Sequence, residues 1–334
     1  MTDANTFPYP ILITGGAGFL GSHMVALCLE KQFDVVVIDN LINSDLSSLQ
    51  KLESHFKTSI PFFNIDIRDK KKLNQFFKEY EFSAVIHFAG FKSVSESIAN
   101  PDLYFENNVL GSQNVIDCIK EQGIKNVIFS SSATVYGDPR YLPIDEEHPV
   151  NPLNPYGQSK ADVEQLFLND HYFRSISVKL LRYFNPVGSY KGIIGEKPNG
   201  KPNNLMPFIL GVAKGKYEYL NIYGEDYLTF DGTGVRDYIH VIDLIEAHLI
   251  VLLDQTKGCE IYNIGCGKGI SVKQMVQSFE NVNHVKIPYK IKSRRDGDVA
   301  ICYASVEKIK NKLNWSAKLN LEDMCSSAWS VDFL

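Results

Sequence analysis

The chain has 334 residues, 44% of them hydrophobic and 22% charged, with a formal net charge of −5. That composition suits one large or two closely packed domains with ample core material, and an acidic balance argues against a nucleic-acid partner. No run of about 18 apolar residues occurs, so no membrane span is expected.

The six cysteines (Cys28, Cys118, Cys259, Cys266, Cys302, Cys325) form no Cys-x-x-Cys pair. They fit small core residues in a reduced, cytoplasmic setting, and no metal site is expected. Met1 to Pro10 lacks a basic region followed by an apolar run, so no signal peptide is expected there.

Ile11 to Thr14 reads as a buried strand leading into Gly15-Gly16-Ala17-Gly18-Phe19-Leu20-Gly21. Ser22 to Glu30 follows as a helix, and Phe33 to Ile38 as a parallel strand ending at Asp39. Strand, glycine turn, helix, strand and acid in this order describe a dinucleotide site. The glycines admit the backbone to a pyrophosphate, the helix N-terminus stabilises it, and the acid meets an adenosine ribose. Asp39 lies 18 residues after Gly21. A carboxylate there repels a 2′-phosphate and so favours NAD over NADP. Asp39 also suits a strand-end cap.

The alternation continues. Pro61 to Ile65 is a third strand, followed by Asp66 and Ile67; Asp69 to Tyr80 is an amphipathic helix. Ser83 to Phe88 is a fourth strand, ending at Ala89-Gly90. Asn107 to Gln122 reads as one helix with Val109, Leu110, Val115, Ile116 and Ile119 on its apolar face, and Gly123 as its C-cap. Asn126 to Phe129 is a fifth strand that delivers Ser130 to Ser132, and Ile176 to Arg182 a sixth. Repeated strand–helix units imply an α/β fold with a Rossmann-type, doubly wound parallel sheet. Ligands in such sheets sit beyond the carboxyl ends of strands, where Gly15, Asp39, Asp66, Ala89 and Ser132 all fall.

Between the fifth and sixth strands stand Tyr156 and Lys160, the single Tyr-x-x-x-Lys in a chain with seventeen tyrosines. Four residues apart on a helix, they share a face. A fixed ammonium near a phenol favours the phenolate, so the pair is a candidate base, with Ser132 a candidate hydroxyl beside it. The same spacing also suits an ordinary pair on a solvated face. After Asn185 the pattern changes: Gly188 to Asn204 is loop-like, Met206 to Lys214 is a short helix, and a last helix runs near Val306 to Leu313. Residues 8–185 are the expected cofactor domain. Residues 186–334 are the expected smaller, loop-rich substrate region, with segments such as Ile261 to Ile264 returning to the main sheet.

Gly-x-x-Gly-x-x-Gly together with Tyr-x-x-x-Lys marks the extended short-chain dehydrogenase/reductases. More specific strings resemble the UDP-glucose 4-epimerase family within them. They are Asp39-Asn40-Leu41, Ile86-His87-Phe88-Ala89-Gly90, Ser130-Ser131-Ser132-Ala133-Thr134-Val135-Tyr136-Gly137, Arg182-Tyr183-Phe184-Asn185-Pro186-Val187-Gly188, Asn203-Asn204-Leu205-Met206-Pro207, and Asp231-Gly232-Thr233-Gly234-Val235-Arg236-Asp237-Tyr238-Ile239-His240. The resemblance runs from roughly residue 10 to residue 330.

The resemblance implies an NAD-dependent 4-epimerase of UDP-glucose and UDP-galactose, working by transient oxidation to a 4-keto sugar, cytoplasmic and homodimeric. It makes Tyr156 the base, Lys160 the group that binds the nicotinamide ribose, and Ser132 the hydroxyl on the reacting oxygen. Cofactor contacts are then expected at Gly15, Gly18, Phe19, Leu20, Gly21, Asp39, Asn40, Asn43, Ser44, Asp66, Ile67, Phe88, Ala89, Gly90, Lys92, Asn107, Ser130, Tyr156, Lys160 and Tyr183. UDP-sugar contacts are expected at Lys92, Ser132, Tyr156, Phe184, Asn185, Asn204, Leu205, Asn221, Tyr223, Arg236, Arg295, Asp298 and Cys302. In the family, a tyrosine at the position of Cys302 restricts the pocket to glucose and galactose, while a small residue leaves room for a 2-acetamido group. The cysteine therefore implies activity on UDP-GlcNAc and UDP-GalNAc as well, unless Tyr303 fills the space. His240 is expected to be structural. Residues 106–120 and 160–173 are the candidate dimer helices, although their apolar faces equally suit packing on the sheet.

Two rivals stand beside this reading. A nucleotide-sugar dehydratase or decarboxylase shares Tyr156 and Lys160, but dehydratases usually follow the serine with acids, and here Ala133-Thr134-Val135 follows Ser132. A non-catalytic NAD-binding protein shares the fold.

Overall fold

The computed structural model describes residues 7–200, 202–295 and 297–331. Residues 1–6, which carry most of the signal-peptide expectation, and Asp296, beside the expected sugar contacts, lie outside the described residues.

The chain begins with β1 (Ile11–Thr14), α1 (Phe19–Glu30), β2 (Val35–Asp39), α2 (Ser47–Phe56), β3 (Phe62–Asn64), α3 (Lys70–Glu79) and β4 (Ala84–His87). Two short helices follow, α4 (Val94–Ala99) and α5 (Pro101–Tyr104), then a π-helical turn, Phe105–Leu110, that runs into α6 (Gly111–Gln122). Next come β5 (Asn126–Ser132), α7 (Pro155–Asn169) and β6 (Ser177–Tyr183). The remainder is β7 (Asn185–Val187), β8 (Ser189–Tyr190), β9 (Ile194–Gly195), α8 (Leu205–Ala213), β10 (Leu220–Tyr223), β11 (Val235–His240), α9 (Val241–Leu253), β12 (Gly258–Ile264), β13 (Gly269–Ser271), α10 (Val272–Asn283), β14 (Tyr289–Lys292), β15 (Ile301–Cys302), α11 (Glu307–Leu313) and α12 (Leu321–Trp329).

The main sheet has the strand order β12-β6-β5-β4-β1-β2-β3. From β3 through β5 every pairing is parallel. The order 3-2-1-4-5-6 is that of a Rossmann-type doubly wound sheet, with the switch point between β1 and β4. β1, β2 and β4 are fully buried and read as unbroken apolar runs, as central parallel strands do. Leu12, Val36, Val85, Val127 and Leu180 project from the sheet into one core with Leu73, Phe76 and Phe77 of α3, Val115, Ile116 and Ile119 of α6, and Val163 and Phe167 of α7. Those apolar faces of α6 and α7 are thus spent on the sheet.

By contacts the chain divides into two units. The first takes residues up to Gly137, Val150–Arg182 and Ile245–Tyr262. The second takes Asp138–Pro149, Tyr183–Leu244 and the chain from Asn263 on. The second unit has small sheets of its own: β10 with β14, β8 with β9, and β13-β11-β15 with β7 also on β11. Its core gathers Met206 and Ile209, Leu220 and Ile222, Met275 and Phe279, and Met324 and Cys325. No helix among the described residues is long and apolar enough to cross a membrane.

One expectation fails. The stretch from Asn107 to Gln122 is not a single α-helix, and Leu110 is 48% exposed rather than inward. The π-helical turn adds residue per turn and carries Leu110 off the phase that a 3.6-residue period gives it. β5 is also longer than expected: Ser130, Ser131 and Ser132 belong to the strand itself.

Candidate active site

The glycine turn sits between β1 and α1. Gly15 has φ of +70°, and a Cβ there would lie 2.6 Å from the Ala89 nitrogen. A Cβ on Gly21 would run into the Gly15 carbonyl oxygen. Both positions need a bare backbone. Gly18 is the N-cap of α1, and no side chain caps the helix. Its positive end is open to an anion. Phe19 packs edge-on against His23 at 4.8 Å, and the Lys92 ammonium lies 5.9 Å from the Phe19 ring centroid.

Asp39 ends β2, 7% exposed. It accepts from the Ala17 N–H at 3.1 Å, the Leu41 N–H at 2.9 Å and the Ser44 hydroxyl at 2.9 Å. The acid is therefore tied to the glycine turn by its own side chain. Asn40 donates to Asp66 at 3.0 Å, and the Arg68 guanidinium holds the Asp66 carboxyl down at about 2. Asn43 is exposed, whereas Ile67 belongs to the core beside the sheet.

Past β4, Phe88 packs on His248 at 5.1 Å, and Gly90 lies between Asn108 and Lys160 Nζ. Asn108 is a residue the sequence reading missed. It accepts from the Phe91 N–H at 2.8 Å, donates to the Phe91 carbonyl and the Ser159 hydroxyl at 3.0 Å each, and accepts from Asn107 at 3.0 Å. The π-helical turn that carries both asparagines brings them inward as neighbours. Tyr183 ends β6, buried.

The candidate proton-handling groups converge at the end of β5 and the first turns of α7. Asn154 caps α7 by accepting from the Gly157 N–H at 2.9 Å, with Pro155 at the first helical position. That start fixes Tyr156 and Lys160 one turn apart on one face. Lys160 is 4% exposed, donates to the Ser130 carbonyl at 2.7 Å and lies 4.9 Å from the Phe129 ring centroid. Burial pushes its ammonium down to about 8, and Glu164, one turn further on, resists.

Ser132 Oγ accepts from Thr134 N at 3.2 Å and Thr134 Oγ1 at 2.9 Å, so its own proton can serve the Tyr156 oxygen. Burial raises Tyr156 above an ordinary phenol, and the Ser132 hydrogen bond pulls the other way. Tyr104 packs edge-on against Tyr156 at 6.4 Å. Beneath the centre, His87 bridges Thr14 Oγ1 at 2.6 Å and Ser112 Oγ at 2.8 Å, and burial drives it down to about 3, a neutral imidazole.

The residues expected to hold a UDP-sugar all lie in the second unit apart from Lys92, Ser132 and Tyr156. Arg236 pairs with Asp298 and stands opposite Cys302 in the β11–β15 register. The Arg295 guanidinium stacks 3.9 Å from the Tyr223 ring centroid. Asn221 Oδ1 is buried with no hydrogen-bond partner among the described residues. Asn185 donates to the Asp237 carbonyl at 2.8 Å and Asn204 to Glu196 at 2.6 Å; Phe184 is buried and Leu205 opens α8. Cys302 is partly buried, its thiol pushed up to about 11 by burial. His240 Nε2 meets Ser327 Oγ at 2.8 Å while Nδ1 accepts from the Ile242 N–H at 3.1 Å, a bracing role. No cluster of metal-ligating side chains occurs among the described residues.

The glycine turn, the uncapped helix end and the buried acid suit a dinucleotide, and Ser132, Tyr156 and Lys160 suit proton transfer from an alcohol. Residues 12–328 match a family model described as GDP-mannose 4,6 dehydratase. UDP-glucose 4-epimerase 2 of Arabidopsis thaliana is 47% identical over 96% of this chain and 94% of its own length. The human UDP-glucose 4-epimerase is 47% identical over 96% of this chain and 95% of its own. The solved structure of UDP-glucose 4-epimerase from Bifidobacterium longum, in complex with NAD+ and UDP, superposes with a TM-score of 0.92 at 43% identity, covering 96% of this chain and 97% of that one. The chain belongs to the UDP-glucose 4-epimerase family.

Proposed function

We propose that this chain is an NAD-dependent 4-epimerase that interconverts UDP-glucose and UDP-galactose. The observation that carries the reading is the meeting of Ser132, Tyr156 and Lys160 at one strand end, beside a glycine turn where a Cβ does not fit. Relatives of this name at 47% identity, and a neighbour crystallised with NAD+ and UDP, support it.

The first unit holds NAD: the turn at Gly15, Gly18 and Gly21 and the α1 N-terminus take its pyrophosphate, Asp39 its adenosine ribose, and Lys160 its nicotinamide ribose. Bound NAD supplies the hydride acceptor and a cationic ring. Tyr156 takes the proton from the sugar 4-hydroxyl as a 4-keto sugar forms, and returns it when the hydride comes back on the other face. With substrate bound, Ser132 turns its single proton from Tyr156 to the reacting oxygen, and the Lys160 ammonium stabilises the phenolate. Arg236 and Arg295 grip the diphosphate, and Asn221 offers its unpaired oxygen to the nucleotide. Tight hold on the nucleotide and loose hold on the sugar let the keto sugar turn over. Ala133-Thr134-Val135 after Ser132 places no carboxylate where a dehydratase needs one.

The reading extends to UDP-GlcNAc and UDP-GalNAc, supported by the small Cys302 side chain, and to a cytoplasmic homodimer formed on the outer surfaces of α6 and α7. Light scattering tests the dimer. Purified protein mixed with UDP-galactose should yield UDP-glucose without added NAD. No product, or stoichiometric release of reduced cofactor, sinks the proposal.

A further inference from the structure

Tyr156, Lys160 and Glu164 stand at successive turns of one face of α7. Glu164 is 1% exposed and pairs with Arg182 of β6, itself 2% exposed. The pairing is bidentate, with Arg182 Nε at 2.9 Å and Nη2 at 2.6 Å, and Glu164 also accepts from the Ser131 hydroxyl at 2.5 Å. The Arg182 guanidinium lies 4.7 Å from the Tyr136 ring centroid and hydrogen-bonds that side chain. Ser131 and Tyr136 flank the segment that begins at Ser132.

A dry ion pair is a poor way to stabilise a fold, because desolvating two charges consumes most of what their attraction returns. Apolar side chains of similar volume would serve the core as well. What the pair touches gives it another use. We infer that the buried Glu164–Arg182 pair is the positioning device of the proton-transfer centre: it braces the Ser132 segment on both sides and sets a negative charge one helical turn from Lys160. This rests on the epimerase reading for its kinetic consequences but not for its effect on Lys160.

The groups that face Lys160 are few. On α7 they are Tyr156 and Glu164; β4 brings neutral His87; β5 brings the Ser130 carbonyl and the Phe129 ring; Asn108 approaches from the π-helical turn. Tyr104, packed on Tyr156, is raised by burial and stays a neutral phenol. Among the described residues, Glu164 is therefore the anion that favours the Lys160 ammonium.

The test compares wild type with Glu164→Gln, with Glu164→Gln combined with Arg182→Met, and with Ser131→Ala. The double variant removes both members of the ion pair, so neither is left behind uncompensated, and it should fold with a melting temperature near that of wild type. Its Lys160 should lose its proton at a lower pH, by less than the one unit or more that a lone opposite charge is worth, because the opposing Arg182 charge leaves with that of Glu164. This is read by NMR of lysine-labelled protein, with the signal assigned through its loss in Lys160→Met. The alkaline limb of kcat should move down with it while KM holds. Ser131→Ala keeps the charges and removes one brace, so kcat should fall several-fold with the limb unmoved.

A folded double variant whose Lys160 titrates as in wild type overturns the electrostatic part. Unchanged kcat in Ser131→Ala overturns the bracing, whether or not the ion-pair variants fold. A wild-type chain that does not epimerise UDP-galactose sinks the proposed function instead, and the Lys160 titration is read all the same.

Discussion

Tyr156 is reached by two opposing influences. Its buried setting favours the neutral phenol, and a proton from Ser132 favours the phenolate. Burial alone leaves such a phenol protonated near neutral pH, so the proposed role as base calls for the phenolate, which a neighbouring ammonium such as Lys160 favours. Tyr156→Phe removes the oxygen proposed to take the substrate proton and little else. It should lower kcat by roughly 10²–10⁴-fold, the usual worth of a positioned acid–base group, while NAD and UDP still bind. A variant that epimerises at the wild-type rate would show that another group is the base. At Cys302 the question is space. It faces Arg236 across the β11–β15 register, so a side chain there adjoins a proposed phosphate ligand. Cys302→Tyr should abolish turnover of UDP-GlcNAc while preserving that of UDP-galactose, measured on both sugar pairs. Wild type with no acetamido-sugar turnover removes the basis for the comparison and the idea with it.

At the scale of elements, the glycine turn works because β1, α1 and the stretch after β4 approach without side chains between them. Gly21→Ala inserts a methyl against the Gly15 carbonyl, and overpacking of this kind costs about 1–3 kcal/mol. The variant should purify with less bound NAD and melt at a lower temperature; wild-type NAD content would rule out the turn as the pyrophosphate site. This turn and the first six strands of the sheet were legible because their signals are local: an apolar run, a glycine spacing, an acid at a fixed distance. The π-helical turn was not, since Leu110 is in phase for a helix of ordinary period, and only the packing of Asn107 and Asn108 inward explains the extra residue. Glu164 was half legible. Its spacing from Tyr156 and Lys160 is in the sequence, but its partner Arg182 lies 18 residues on, in another element. The sheets of the second unit were missed for the same reason. β7, β11, β13 and β15 have only two to six residues each and pair with strands far away in sequence, so no single stretch announces them.

Across the whole molecule, both units carry a buried histidine used as a neutral strut. His87 joins Thr14 to Ser112 beneath the glycine turn, and His240 joins Ser327 to the start of α9. Burial lowers His87 to about 3 and His240 to about 4, each well below the usual 6.5. The unfolded chain therefore binds more protons than the folded one at pH values between those figures and 6.5. Stability rises with pH in that window and falls as the pH drops through it. Each histidine contributes about 1.4 kcal/mol of this loss per pH unit below its unfolded value, until its folded pKa is reached. Urea unfolding at pH 7 and at pH 5 should show the folded state weakened at the lower pH by a few kcal/mol. His87→Gln, which cannot take up the proton, should be weaker than wild type at pH 7 yet lose less on acidification. Equal losses in the two proteins would mean that His87 is already charged in the folded chain, and that the Thr14–His87–Ser112 bridge is not the neutral strut its hydrogen bonds describe.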